Sequence, residues 1–108
     1  MKPQWFQILL ALSRGPLHGV AIMEEVLEQT DGAMKLWPAT LYGSLRDLEE
    51  TGWIRETPSD PDEPQPGGKR NVHTLTPRGR DALVAELKRL QGTLELARRR
   101  RLLEPGTA

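Results

Sequence analysis

Pro38-Ala39-Thr40-Leu41-Tyr42-Gly43-Ser44-Leu45-Arg46-Asp47-Leu48-Glu49-Glu50-Thr51-Gly52, followed at once by Trp53-Ile54-Arg55-Glu56-Thr57, is the stretch on which the architecture turns. Proline suits the first position of a helix, where its missing N–H is not needed, and it forces Trp37 before it into an extended conformation. Leu41, Leu45 and Leu48 recur at i, i+4 and i+7, one apolar stripe of a helix. Gly52 ends that helix, and the residues beyond it take up the alternation of a strand. The faces away from the leucines hold Thr40, Tyr42, Gly43, Ser44 and Arg46, a surface poor in charge and rich in small residues. Such a helix can approach another macromolecule closely.

Upstream, Trp5, Ile8, Leu9 and Leu12 have helical spacing and Gly15-Pro16 stops the run. A second helix is expected from near His18 to about Thr30, with Ile22, Val26, Met23 and Leu27 inward and Asp31-Gly32 as its stop. Downstream, Asn71 to Thr76 reads as a strand that pairs with Trp53 to Thr57. Between the two lies Pro58 to Gly68, without a large apolar residue, expected to be a long mobile hairpin loop. Thr76-Pro77 opens a last helix, Thr as cap and Pro as first residue, that continues to about Leu103.

Three helices, then a two-stranded hairpin, then one long helix make a mainly α chain with a small β hairpin. In a domain of this size that order is a winged helix-turn-helix, in which the third helix enters a DNA major groove and the hairpin touches the neighbouring backbone. The expected organisation is a DNA-binding domain over residues 1–76, a C-terminal dimerisation helix over 77–103 and a flexible tail over 104–108. Leu83, Leu87, Leu90, Leu94 and Ala97 alternate steps of four and three, a heptad seam. A helix of about 25 residues, near 38 Å, outreaches the domain and leaves leucines exposed unless a second copy covers them, so a homodimer is expected.

Composition narrows the function classes. The 108 residues carry 15 Lys plus Arg and 15 Asp plus Glu, but residues 1–68 hold five basic and eleven acidic side chains whereas residues 69–108 hold ten basic and four acidic. A neutral chain can therefore still present a basic face. Without Cys there is no disulfide framework or thiolate metal site, and two distant His with no Gly-rich phosphate loop supply no catalytic constellation. Neither an enzyme nor a cofactor or metal requirement is expected. No apolar run approaches a membrane span, so a cytoplasmic protein without membrane contact is expected.

The chain resembles the PadR-like transcriptional regulators. The resemblance rests on Gly15-Pro16-Leu17-His18-Gly19, on Pro38-Ala39-Thr40-Leu41-Tyr42 with Leu45 and Leu48-Glu49-Glu50, on Gly52-Trp53-Ile54, on Gly67-Gly68-Lys69-Arg70, and on Leu75-Thr76-Pro77-Arg78-Gly79-Arg80. It implies a dimeric repressor of the short kind, with one C-terminal helix, that binds double-stranded DNA at an inverted repeat. By similarity, Thr40 and Tyr42 donate to phosphates and His18 matches a His-Gly step at a helix start, where backbone amides face a phosphate. Arg46 reaches a guanine edge or a phosphate, and Lys35 flanks the same surface. Lys69 and Arg70, after two glycines, are the expected wing cations, although Asp60, Asp62 and Glu63 depart from a purely basic wing.

Some relatives with this architecture bind flat aromatic compounds between subunits, which makes Trp5 and Phe6 the candidates for contact with a small aromatic effector. The cations Arg98 to Arg101 suit the negative end of the last helix. The competing reading is a winged-helix protein-interaction module that no longer binds DNA, consistent with the neutral total and the acidic loop.

Overall fold

The computed structural model describes residues 1–58 and 71–103. Its elements are α1 (Pro3–Leu12), α2 (Gly19–Gln29), α3 (Pro38–Glu50), β1 (Ile54–Pro58), β2 (Asn71–Leu75) and α4 (Pro77–Arg99). The expected order of helices and strands is the observed one. The expected hairpin loop lies, but for Pro58, outside the described residues.

Each helix ends by a local rule. After α3, Gly52 takes φ +81°. Its N–H donates to the Glu49 carbonyl at 3.0 Å and the Trp53 N–H to the Leu48 carbonyl at 3.1 Å, the paired bonds of a Schellman stop. The same pair closes α2, but there the left-handed residue is Asp31, φ 50°, ahead of Gly32. At the end of α4 it is Arg101, φ 60°, with Leu102 N–H donating to the Ala97 carbonyl at 2.9 Å. The last helix thus stops inside its arginine run rather than near Leu103.

Ile8, Leu9 and Leu12 from α1, Ile22 and Val26 from α2, Leu36, and Leu41, Leu45 and Leu48 from α3 form one buried cluster, closed below by Ile54 and Leu83. Met23 packs on its edge. Leu27, expected inward, is instead 38% exposed. The strands pair antiparallel with Ile54 opposite Leu75 and Pro58 opposite Asn71. An unforeseen third strand-like contact joins them: Leu17 and His73 exchange N–H to carbonyl bonds at 3.1 and 2.9 Å. The segment between α1 and α2 is thereby tied to the wing.

The α3–β1 turn is fastened to the start of α4. Thr76 caps α4 by accepting from the Gly79 N–H at 3.0 Å, its hydroxyl donates to the Gly52 carbonyl at 2.6 Å, and its own N–H donates to the Trp53 carbonyl at 3.1 Å. Gly79 lies directly against this turn: a Cβ there would stand 2.0 Å from the Trp53 carbonyl oxygen.

That contact decides the sign of a glycine-to-alanine change. Helix propensity alone favours alanine by about 1 kcal/mol. At Gly92, with open space around it, Gly92→Ala should raise stability by roughly that amount. At Gly79 the added methyl must displace backbone, and Gly79→Ala should lower stability by about 3 kcal/mol. Urea titrations at one protein concentration check both, and equal effects at the two sites would refute the close approach.

Candidate nucleic-acid interface

Helix α3 has two different surfaces. Leu41, Ser44, Leu45 and Leu48 are buried, whereas Ala39, Thr40, Arg46, Asp47, Glu49 and Glu50 are exposed and Tyr42 and Gly43 half-exposed. Ser44 is therefore a correction to the expected groove-facing set. It is 5% exposed, because at 3.6 residues per turn it falls beside Leu48, at the edge of the core stripe. From Pro38 to Leu45 the helix carries no charge, and its last turns carry Arg46 with Asp47, Glu49 and Glu50. Those carboxylates repel phosphate, so a polyanion meets the first half of α3 more favourably than the second.

The start of α2 abuts this surface. Gly19 leaves room for the Tyr42 hydroxyl, which a Cβ would meet at 2.7 Å. His18 Nδ1 lies 3.1 Å from the Asn71 carbonyl, which requires the proton on Nδ1, and Asn71 Nδ2 donates to Glu56 Oε1 at 2.6 Å. His18, Tyr42 and the base of the wing thus form one contiguous block. Lys35 stands before α3 with Nζ 4.5 Å from the Trp37 ring centroid. Thr40, Tyr42, Gly43, Arg46, His18 and Lys35 accordingly come to the region around α3. Lys69 and Arg70, with Asp60, Asp62 and Glu63, lie outside the described residues.

Between α3 and the wing, Tyr42, Leu45, Arg46, Glu49, Glu56 and His73 line a cavity of about 220 Å³. His73 is the buried member of β2, 5% exposed, and its Nδ1 has no hydrogen-bond partner among the described residues. Sequence reasoning passed over it. The alternation of the strand was the available signal, since position 73 takes the inward phase at the centre of β2.

The seam on α4 divides in two. Leu87 and Leu94 are exposed by 41% and 44%, Val84 and Leu96 nearly as much, and Leu90 and Ala97 are half-exposed. Leu83 is a second correction: at 3% exposure it belongs to the core of its own domain, because the first turns of α4 lie on α1. Trp5 and Phe6 are half-buried on α1, Trp5 standing edge-on to Trp53 with centroids 6.0 Å apart. Among the described residues no group of three or more His, Asp or Glu is placed to hold a metal ion. None of the helices is long and apolar enough to cross a membrane.

The model of the transcriptional regulator PadR-like family matches residues 8–85. A PadR family transcription regulator from Clostridium difficile superposes with a TM-score of 0.76 at 21% identity, covering 91% of this chain and 97% of that one. Bacillus subtilis PadR, solved in complex with operator DNA, superposes with a TM-score of 0.67 at 22% identity, covering 80% of this chain and 47% of that one. An uncharacterized 37.1 kDa protein in transposon TN4556 of Streptomyces fradiae is 40% identical over 88 residues. The match takes in 79% of this chain and spans only 23% of that longer protein.

Burial lowers the pKa of His73 from its ordinary value of 6.5; Glu56 and Glu49 oppose that shift and His18 adds to it. The folded chain therefore prefers the neutral ring. Between 6.5 and the lower folded value the unfolded chain binds more protons, so stability rises with pH across that window. The contribution is complete above 6.5 and is lost as the pH falls toward the folded value. Denaturant midpoints measured from pH 7 down to about 5 should decline and should decline less for His73→Gln. Parallel profiles for the two proteins would show that His73 does not titrate across that range.

Proposed function

The chain belongs to the PadR-like family of transcriptional regulators, and from that premise we propose that it is a homodimeric repressor that binds an inverted-repeat operator through α3 and the wing. The observation that carries the reading is α3 itself. Its first half is uncharged, its outer face presents exposed Ala39 and Thr40 with half-exposed Tyr42 and Gly43, and it is backed by Leu41, Ser44, Leu45 and Leu48 against the core. Thr40, Tyr42, Gly43 and Arg46 with Lys35 and His18 form the groove and phosphate contacts, and Lys69 and Arg70 supply the wing's cations.

The exposed face of α4 supports the dimer reading. Leu87, Leu90, Leu94 and Ala97 continue beyond the domain core, and exposed leucines at heptad spacing are covered when two copies pair. Residues 1–76 then act as the DNA-binding unit and 77–103 as the pairing segment; the expected tail, 104–108, lies outside the described residues. The symmetry of such a dimer demands half-sites about 10 base pairs apart, or a multiple of that. Trp5 and Phe6, on the helix against which α4 packs, are the proposed contact for a small aromatic effector that releases DNA. A regulator of this kind works in the cytoplasm and needs neither a cofactor nor catalysis.

Gel shifts with genomic fragments, including the chain's own promoter, test the reading. Retardation at low salt with a steep salt dependence is expected. Each phosphate contact adds about 0.9 to the slope, so Lys69→Ala with Arg70→Ala should lower it by about 3 to 4 per dimer. A folded dimer that shifts no fragment would instead favour a protein-interaction module. By light scattering, Leu87→Glu with Leu90→Glu should give monomers or unfolded chain, and an intact dimer would rule out this pairing surface.

A further inference from the structure

Trp37 stands where a helix start favours a small polar residue. It is the residue before α3, with φ −85° and ψ 155°, and its side chain makes no capping hydrogen bond. Trp37 is 62% exposed, while Trp5 and Trp53 are both half-buried against the core. Nor does the ring fill space that the fold must fill. On its α2 side an open apolar groove of about 300 Å³ runs past Val20, Met23 and Leu27. An indole in this position loses a cap and keeps apolar surface in water, so its use lies in something that covers it.

The surroundings say what that is. Lys35 holds its ammonium 4.5 Å from the indole centroid and makes no ion pair among the described residues. The next residues, Pro38 to Leu45, bear no charge, whereas Asp47, Glu49 and Glu50 crowd the far end of the helix. A duplex is therefore better met at the Trp37 end of α3, where the cation of Lys35 stands, than at the acidic end. Glu24 also lines the groove, and its carboxylate disfavours phosphate there.

We propose that Trp37 and Lys35 are an operator-reading pair, the indole covering the C5-methyl group of a thymine at the edge of the major groove and the ammonium pairing with the adjacent phosphate. The thymine methyl is the one apolar group that base edges present in that groove, which makes it the natural cover for an exposed ring. The inference rests on the DNA-binding reading and adds to it a residue whose role is sequence discrimination.

The test begins with DNA selected from a random pool by the wild-type protein. Each thymine of the selected operator is then replaced by deoxyuridine, which removes only the methyl group. Wild type should lose about fourfold in affinity per half-site at one position, the transfer value of one buried methyl-sized group. Trp37→Ser should bind the thymine and uracil operators equally while unfolding at the same or a higher denaturant concentration, because serine caps better. Trp37→Phe should retain part of the preference for thymine, and Lys35→Gln should lower the salt slope while leaving that preference unchanged.

Insensitivity of wild type to every thymine replacement would overturn the pairing of indole and methyl, as would undiminished discrimination by Trp37→Ser. Marked destabilisation of Trp37→Ser would overturn the view that the ring is not structural. A wild-type protein that selects no DNA at all would fail earlier, at the DNA-binding reading itself.

Discussion

The close approach of α4 to the turn after α3 sets the geometry of everything else. Thr76 binds the Gly52 carbonyl, accepts from Gly79 and donates to the Trp53 carbonyl, so four residues from two segments share one hydrogen-bonded knot. Only a residue without Cβ fits at position 79. The knot matters because α3 carries the surface offered to DNA and α4 carries the exposed leucines. In the proposed dimer this joint would relate pairing along α4 to the separation of two α3 helices, the distance that an inverted repeat would match. Looseness at this joint would leave each half intact and spoil their spacing.

Charge is partitioned along the chain and along α3, and the neutral total conceals both divisions. The acidic turns of α3 point the helix by its uncharged end. His73 sits beneath that same helix, desolvated and, among the described residues, without a partner for Nδ1, in a cavity that Arg46, Glu49 and Glu56 also line. Its strand has backbone bonds on both sides, to β1 and to Leu17. The base of the wing is thus tied to the segment between α1 and α2.

Local periodicity made most of the architecture legible. Leu41, Leu45 and Leu48 declared the third helix, Gly52 its end, and Thr76-Pro77 the start of the last one, because caps and stripes depend on residues within one or two turns of each other. The surface of α3 was legible to the same degree, since burial of one face leaves the other outward. Ser44 was misplaced because its polarity suggested the outer face, whereas its angular position beside Leu48, at the edge of the stripe, put it inside. Polarity is the weaker guide when the side chain is that small.

What the sequence determined by itself was the order of elements, their stops and the spacing of the leucine seam, all consequences of backbone geometry over short range. The tertiary structure alone decided that Leu83 leaves the seam for the core, that Leu17 joins the wing, that His73 has no partner for Nδ1 among the described residues and that Gly79 must remain glycine. Each of these depends on two segments far apart in the chain coming within van der Waals contact. No local pattern encodes that distance, because it is fixed by how the whole core closes.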